Sequence, residues 1–158
     1  MISENFQNEL MEIVKISKDY IYKYDKEYNY SQDTLNGFCA CISYITFKKY
    51  QHKLNIKFAG NNQHCFLILN NDTILDLSPS QFNGDYELSD FKDIETSFRI
   101  YNNENYEDTH MEIWLENFVS NDEKEIKTHL SYWEEVQNPF YLIEKNTQWF
   151  NDLLKEVI

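Results

Sequence analysis

The 158 residues are the size of one ordinary domain, and 42% hydrophobic and 16% aromatic content against only 3 Gly and 2 Pro excludes a linker or a disordered tail. The 27 Asp and Glu against 14 Lys and Arg give a formal net charge of -13, which repels phosphate backbones and anionic lipid and so argues against a nucleic-acid or membrane partner. No apolar run approaches the roughly 20 residues a bilayer span needs. Glu4, Glu9 and Glu12 interrupt the first apolar stretch, unlike a secretory signal, so a cytoplasmic location is expected. Cys39, Cys41 and Cys65 are an odd set in a chain large enough to do without staples, which predicts free thiols.

In chain order, Phe6, Leu10, Ile13, Val14, Ile21 and Tyr24 recur at helical spacing and predict an amphipathic opening helix. After the polar stretch from Asn29 to Asp33, Asn36 is the expected N-cap of a second helix running to about Tyr50, with Gly37, Phe38 and Cys39 in its first turn. Asn55 to Phe58, His64 to Leu69 and Thr73 to Leu77 read as strands, with Asn70, Asn71 and Asp72 turning the last two into a hairpin. Ser97 to Tyr101 reads as a further strand. Thr109 with Glu112, and Ser120 with Glu123, match the capping box that opens a helix. The later C-terminal helix carries Ile143, Phe150, Leu153, Leu154 and Val157 after Pro139. No internal repeat is present.

A thiol attacks only as thiolate, and the free N–H groups and positive dipole end of a helix favour that form. Cys39 is placed for this, whereas Cys41, about 200° further around the helix, falls in a stripe with Phe38, Ile42 and Ile45 and reads as core. A nucleophile needs a base steadied by a third group. His64 opens the strongly apolar strand Cys65-Phe66-Leu67-Ile68-Leu69, and Asp76 sits among Ile74, Leu75 and Leu77, where an unpaired carboxylate would be costly. Loop length decides whether they meet. A two-residue Asn71-Asp72 loop pairs 70 with 73 and sends the two side chains to opposite faces. A three-residue loop pairs 69 with 73, sets Asp76 opposite Phe66 and leaves His64 diagonal to Asp76 on the same face. The triad therefore requires an odd-length loop or a bulge.

The segment Leu35-Asn36-Gly37-Phe38-Cys39-Ala40-Cys41-Ile42-Ser43 resembles the G-x-C-x-x-x-S helix start of papain-like and transglutaminase-like proteins. His64-Cys65-Phe66-Leu67 and Ile74-Leu75-Asp76-Leu77-Ser78-Pro79-Ser80-Gln81-Phe82 are similar to the His and Asp strands of that superfamily, including small bacterial and phage members. The match covers roughly residues 33 to 82. It implies that Cys39 is nucleophile, His64 general base and acid, and Asp76 the group that orients the imidazole. For the oxyanion site it leaves Gln32 and Asn36 as weak candidates, with Gln32 off the usual offset; the Cys39 N–H could itself supply one donor. The superfamily also supplies effectors and toxins.

Other readings compete. A zinc site from Cys39, Cys41, Cys65 and His64 has the right ligand types, but neighbouring strand residues point to opposite faces. A non-catalytic acidic protein could inhibit by presenting carboxylates to a basic groove, or a degenerate member could keep the fold and bind a partner. His52, His110 and His129 read as surface or cap residues, and Trp114, Trp133 and Trp149 as core. The expectation is a single α+β domain over residues 1–158, with a central Cys-bearing helix on a small antiparallel sheet and further helices flanking it. Its expected activity is acyl transfer on a protein or peptide substrate, one of basic character by charge complementarity, with no cofactor and no metal.

Overall fold

The computed structural model describes residues 3–28, 38–61, 64–77, 99–101, 118–133 and 138–158. In chain order these form helix α1 (Glu4–Tyr28), helix α2 (Cys39–Tyr50), strands β1 (Ile56–Gly60), β2 (Cys65–Leu69), β3 (Thr73–Asp76), β4 (Arg99–Tyr101) and β5 (Phe118–Ser120), and helices α3 (Glu123–Leu130), α4 (Pro139–Glu144) and α5 (Gln148–Val157). The sheet runs β4-β3-β2-β1-β5 with every neighbouring pair antiparallel. The architecture is mixed α+β, as composition and patterning predicted.

β2 is buried along its whole length, as a strand apolar on both faces must be. Its register with β3 pairs Leu67 with Leu75, Ile68 with Ile74 and Leu69 with Thr73. That is the odd-loop register. Asn70 and Asn71 adopt φ of 55° and 63°, left-handed values that Asn tolerates, and the Asp72 N–H closes the turn on the Leu69 carbonyl at 3.3 Å.

Side-chain alternation then divides the sheet. Cys65, Leu67, Leu69, Ile56, Phe58, Leu75 and Leu77 join the main core, while Ala59, Phe66, Ile68 and Ile74 form a smaller cluster with Val119. α2 packs on β1 and β2 and is also met by α1, α4 and α5. Only Lys48 and Lys49 among its twelve residues escape burial. A helix apolar on every side is a core helix, and burying side chains such as Ile45 or Phe47 contributes roughly 1.5–3 kcal/mol each. Its polar groups are answered locally: the Thr46 hydroxyl donates to the Ile42 carbonyl at 2.9 Å.

Several boundaries differ from the sequence expectation. α2 begins at Cys39 with Phe38 as N-cap (φ -114°, ψ 14°), two residues later than the expected cap position; Asn36 and Gly37 lie outside the described residues. Phe38 is buried in the core edge-on to Trp149, and that packing sets the entry to the helix. Ser120 does not cap α3. It ends β5, its hydroxyl donating to the Glu125 carboxylate and accepting from the Asp122 N–H, while Asp122 caps the helix by accepting from Lys124 and Glu125 N–H. The late helix is broken into α4 and α5 at Asn146, whose φ of 53° ends α4: Asn146 N–H donates to Ile143 and Thr147 N–H to Leu142, the Schellman arrangement. β1 extends to Gly60, and β5 was not foreseen at all. Thr109, His110 and Trp114 lie outside the described residues. Among the described residues no helix is long and apolar enough to cross a membrane.

Candidate active site

Cys39 is the first residue of α2, so its N–H belongs to the turn that has no intrahelical acceptor. Phe38 supplies no side-chain cap. One turn further along the same helix face, Ser43 donates its hydroxyl to the Cys65 carbonyl at 3.3 Å, which ties the start of α2 to the start of β2.

His64 stands immediately before β2, in the turn that links β1 to β2. Asn61 N–H donates to the His64 carbonyl at 3.1 Å and His64 N–H donates to Asn61 Oδ1 at 2.9 Å, so its backbone is fixed on both sides. Its ring lies against Phe66, centroids 6.3 Å apart. Asp76 ends β3 on the same face, and its Oδ2 is 2.8 Å from His64 Nε2. A carboxylate can only accept, so Nε2 carries the proton in this pair and Nδ1 is the nitrogen left for the sulfur. The Cys39 side chain lies close enough to the imidazole and to the Cys65 thiol for both to act on its ionisation. Relative exposure is 0% for Cys39, 3% for His64 and 0% for Asp76, so this polar group is enclosed.

Electrostatics follow from that enclosure. Burial pushes the Cys39 thiol up, but hydrogen bonds from Cys65 and His64 and the charge of His64 outweigh it and bring the group well below the ordinary thiol range. Burial pushes His64 down, yet the Asp76 carboxylate, through charge and hydrogen bond, and then Cys39 carry it well above 6.5. Both shifts run in the direction that favours a thiolate–imidazolium pair. Cys41 behaves oppositely: burial, then the charge of Cys39, push its thiol far up, as suits a core residue. Cys65 also stays protonated, raised first by burial and then by its bond to Cys39.

The structure thus brings Cys39, His64 and Asp76 together, while Gln32 and Asn36 lie outside the described residues. All three cysteines are free thiols. Among the described residues no group of three or more His, Cys, Asp or Glu is arranged to hold a metal ion. No protein-family model, curated protein or solved structure matches this chain. The case for chemistry therefore stands on the geometry alone.

Cys65 is a free thiol as the sequence predicts, but its nearness to Cys39 was not read there; its position beside His64 at the mouth of a buried strand was the available signal. His129 is neither a surface nor a cap residue, being half-buried and stacked on Phe118 with centroids 4.5 Å apart and planes 3° from parallel. Burial lowers its pKa, against a hydrogen bond that the ring donates to the Asn61 backbone carbonyl and that raises it. His52 is exposed as expected.

Proposed function

We propose that this protein is a cysteine-nucleophile acyl-transfer enzyme of the papain-like or transglutaminase-like kind, acting on a protein or peptide. The observation that carries the reading is one imidazole held by a buried carboxylate at 2.8 Å while the sulfur at a helix start meets the same ring. The Cys39 thiolate attacks a carbonyl carbon, and the oxygen takes the electron pair; the Cys39 N–H is one donor for it, with Gln32 and Asn36 as candidates for a second. As the tetrahedral species collapses, the His64 imidazolium protonates the departing nitrogen and leaves an acyl-enzyme. The neutral imidazole then removes a proton from water or an amine that attacks the thioester. Asp76 holds the ring and balances its charge. Peptidase, deamidase and transglutaminase share this course to the acyl-enzyme. The charge of -13 favours a basic substrate.

Trapping tests it. A peptide-like carbonyl electrophile should form a covalent adduct located on Cys39 by mass spectrometry, and Cys39→Ala should abolish the adduct while leaving the melting temperature near that of the parent. An adduct on Cys41 or Cys65 overturns the assignment. One observation favours a second reading, a fold-keeping protein that binds a partner through its acidic surface: the sulfur is wholly covered. Iodoacetamide separates the two, since a working thiolate alkylates faster than free cysteine near neutral pH and an inert core thiol does not.

A further inference from the structure

A thiolate among buried groups needs more than one donor. Asp76 and the Cys39 thiolate are both anionic and share a single imidazolium, so the pair alone leaves the sulfur under-compensated in a site that solvent does not reach. The helix start supplies part of the remainder. Among the described residues, a further donor near it is Cys65.

Its placement is built. Gly60 is the direct cross-strand partner of Cys65, so both face the α2 side of the sheet. A Cβ at position 60 would lie 2.9 Å from Cys65 Sγ and 3.0 Å from the His64 carbonyl oxygen, so only glycine leaves the room that this sulfur occupies. The Cys65 backbone is tied to α2 by the Ser43 hydroxyl, one turn beyond Cys39. Strand partner and helix anchor together place the Cys65 thiol on the α2 side of the sheet beside the first turn of that helix, within range to act on the Cys39 sulfur.

We propose that Cys65 is a positioning residue for Cys39: its S–H donates to the Cys39 sulfur and holds that sulfur, as thiolate, beside the His64 imidazole. The role deepens the acyl-transfer reading above and rests on it for its purpose, though not for its measurement. Cys65 suits the role because it keeps its own proton, with burial the first cause. Among the described residues, the titratable groups that act on Cys39 or are acted on by it are His64 and Cys65 from the start of β2 and Cys41 from α2 itself, with Asp76 of β3 behind His64.

The test is the pH dependence of iodoacetamide alkylation at Cys39, read by mass spectrometry on the full chain, in the parent, Cys65→Ser and Cys65→Ala. Loss of the donor in Cys65→Ala should raise the alkylation midpoint by about one pH unit, the tenfold that one hydrogen bond to a charged group represents. Cys65→Ser keeps a donor in nearly the same volume and should bring the midpoint back toward the parent. Melting temperatures identify variants that fail to fold, and Gly60→Ala, which pushes the Cys65 sulfur aside with both thiols retained, should move the midpoint in the same direction as Cys65→Ala. An unshifted midpoint in folded Cys65→Ala, or equal shifts in Cys65→Ser and Cys65→Ala, overturns the proposal. Alkylation needs no substrate. A shifted midpoint without a carbonyl adduct therefore sinks the acyl-transfer reading alone, and an adduct with an unshifted midpoint sinks the donor role alone.

Discussion

The two ends of α2 are built on opposite terms. At its start, Cys39 meets His64 and Asp76 with no side-chain cap and almost no exposed surface. About 17 Å away, by the rise of 1.5 Å per residue, the last turn carries Lys48 and Lys49, half-buried cations that suit the negative end of the dipole. There Tyr50 donates its hydroxyl to Glu9, and the surface opens into a cavity of about 470 Å³ lined by Phe6, Glu9, Tyr50, Lys53 and Asp72 among others. Charge near solvent costs little, whereas each buried ion costs several kcal/mol before its partners compensate. Well-packed apolar groups would stabilise the start of α2 at least as well. Retaining polar groups there is a local cost of the kind the proposed acyl-transfer site would explain, and that proposal places its chemistry away from the roomier end of the helix.

The largest way to break this comparison is to remove one ion from the closed end. Asp76→Ala strands the His64 imidazole, and breaking a buried pair in this way costs about 3–5 kcal/mol. Urea denaturation should show that loss together with slower alkylation of Cys39, because the base is no longer oriented. A loss under 1 kcal/mol would mean that the pair is not closed to water, and the contrast between the two ends would fail.

The second test uses pH. His64 has a folded-state pKa raised above 6.5, since Asp76 and Cys39 overcome burial. Its contribution is therefore complete below pH 6.5 and is lost as pH rises through the raised value. The stability difference between the parent and Asp76→Asn should accordingly be greatest near pH 6 and shrink toward pH 10. A difference that grows with pH would assign the proton to the wrong partner.

How much of this was legible varies by residue, for physical reasons. The β2–β3 register could be counted, because alternation makes every side chain's face depend on loop parity and Asn70-Asn71-Asp72 is suited to turn in three. The count stated the condition for His64 to meet Asp76, an odd loop, and the Leu69–Thr73 pairing of the fold is what meets it. The start of α2 was placed two residues early because its N-cap is Phe38, a buried aromatic against Trp149 that capping preferences along the chain do not point to. β5 escaped notice because three residues carry too little alternation to be seen and are held by pairing with β1. The contact of Cys65 with Cys39 depends on how a helix crosses a strand, and no spacing along the chain encodes that crossing.

The smallest expected effect sharpens the comparison from the open end. Lys48 Nζ is 2.9 Å from Glu123 Oε1, and the Tyr44 hydroxyl donates to the same oxygen at 3.0 Å. Burial pushes the Glu123 carboxyl up, but the hydrogen bonds of Lys48 and Tyr44 and the Lys48 charge bring it below its ordinary value. Both members of the ion pair are more than a third exposed, 35% and 38%, so solvent and salt screen it. Lys48→Met keeps the aliphatic stem and removes the charge, and should cost about 0.5 kcal/mol at low ionic strength and less in salt. Cys39 alkylation should keep its rate and its pH midpoint, because the two ends of α2 are separated by nearly its whole length. A shift in that midpoint would show that charge at the open end reaches the sulfur, and the division of the helix into a solvated end and an enclosed one would have to be abandoned.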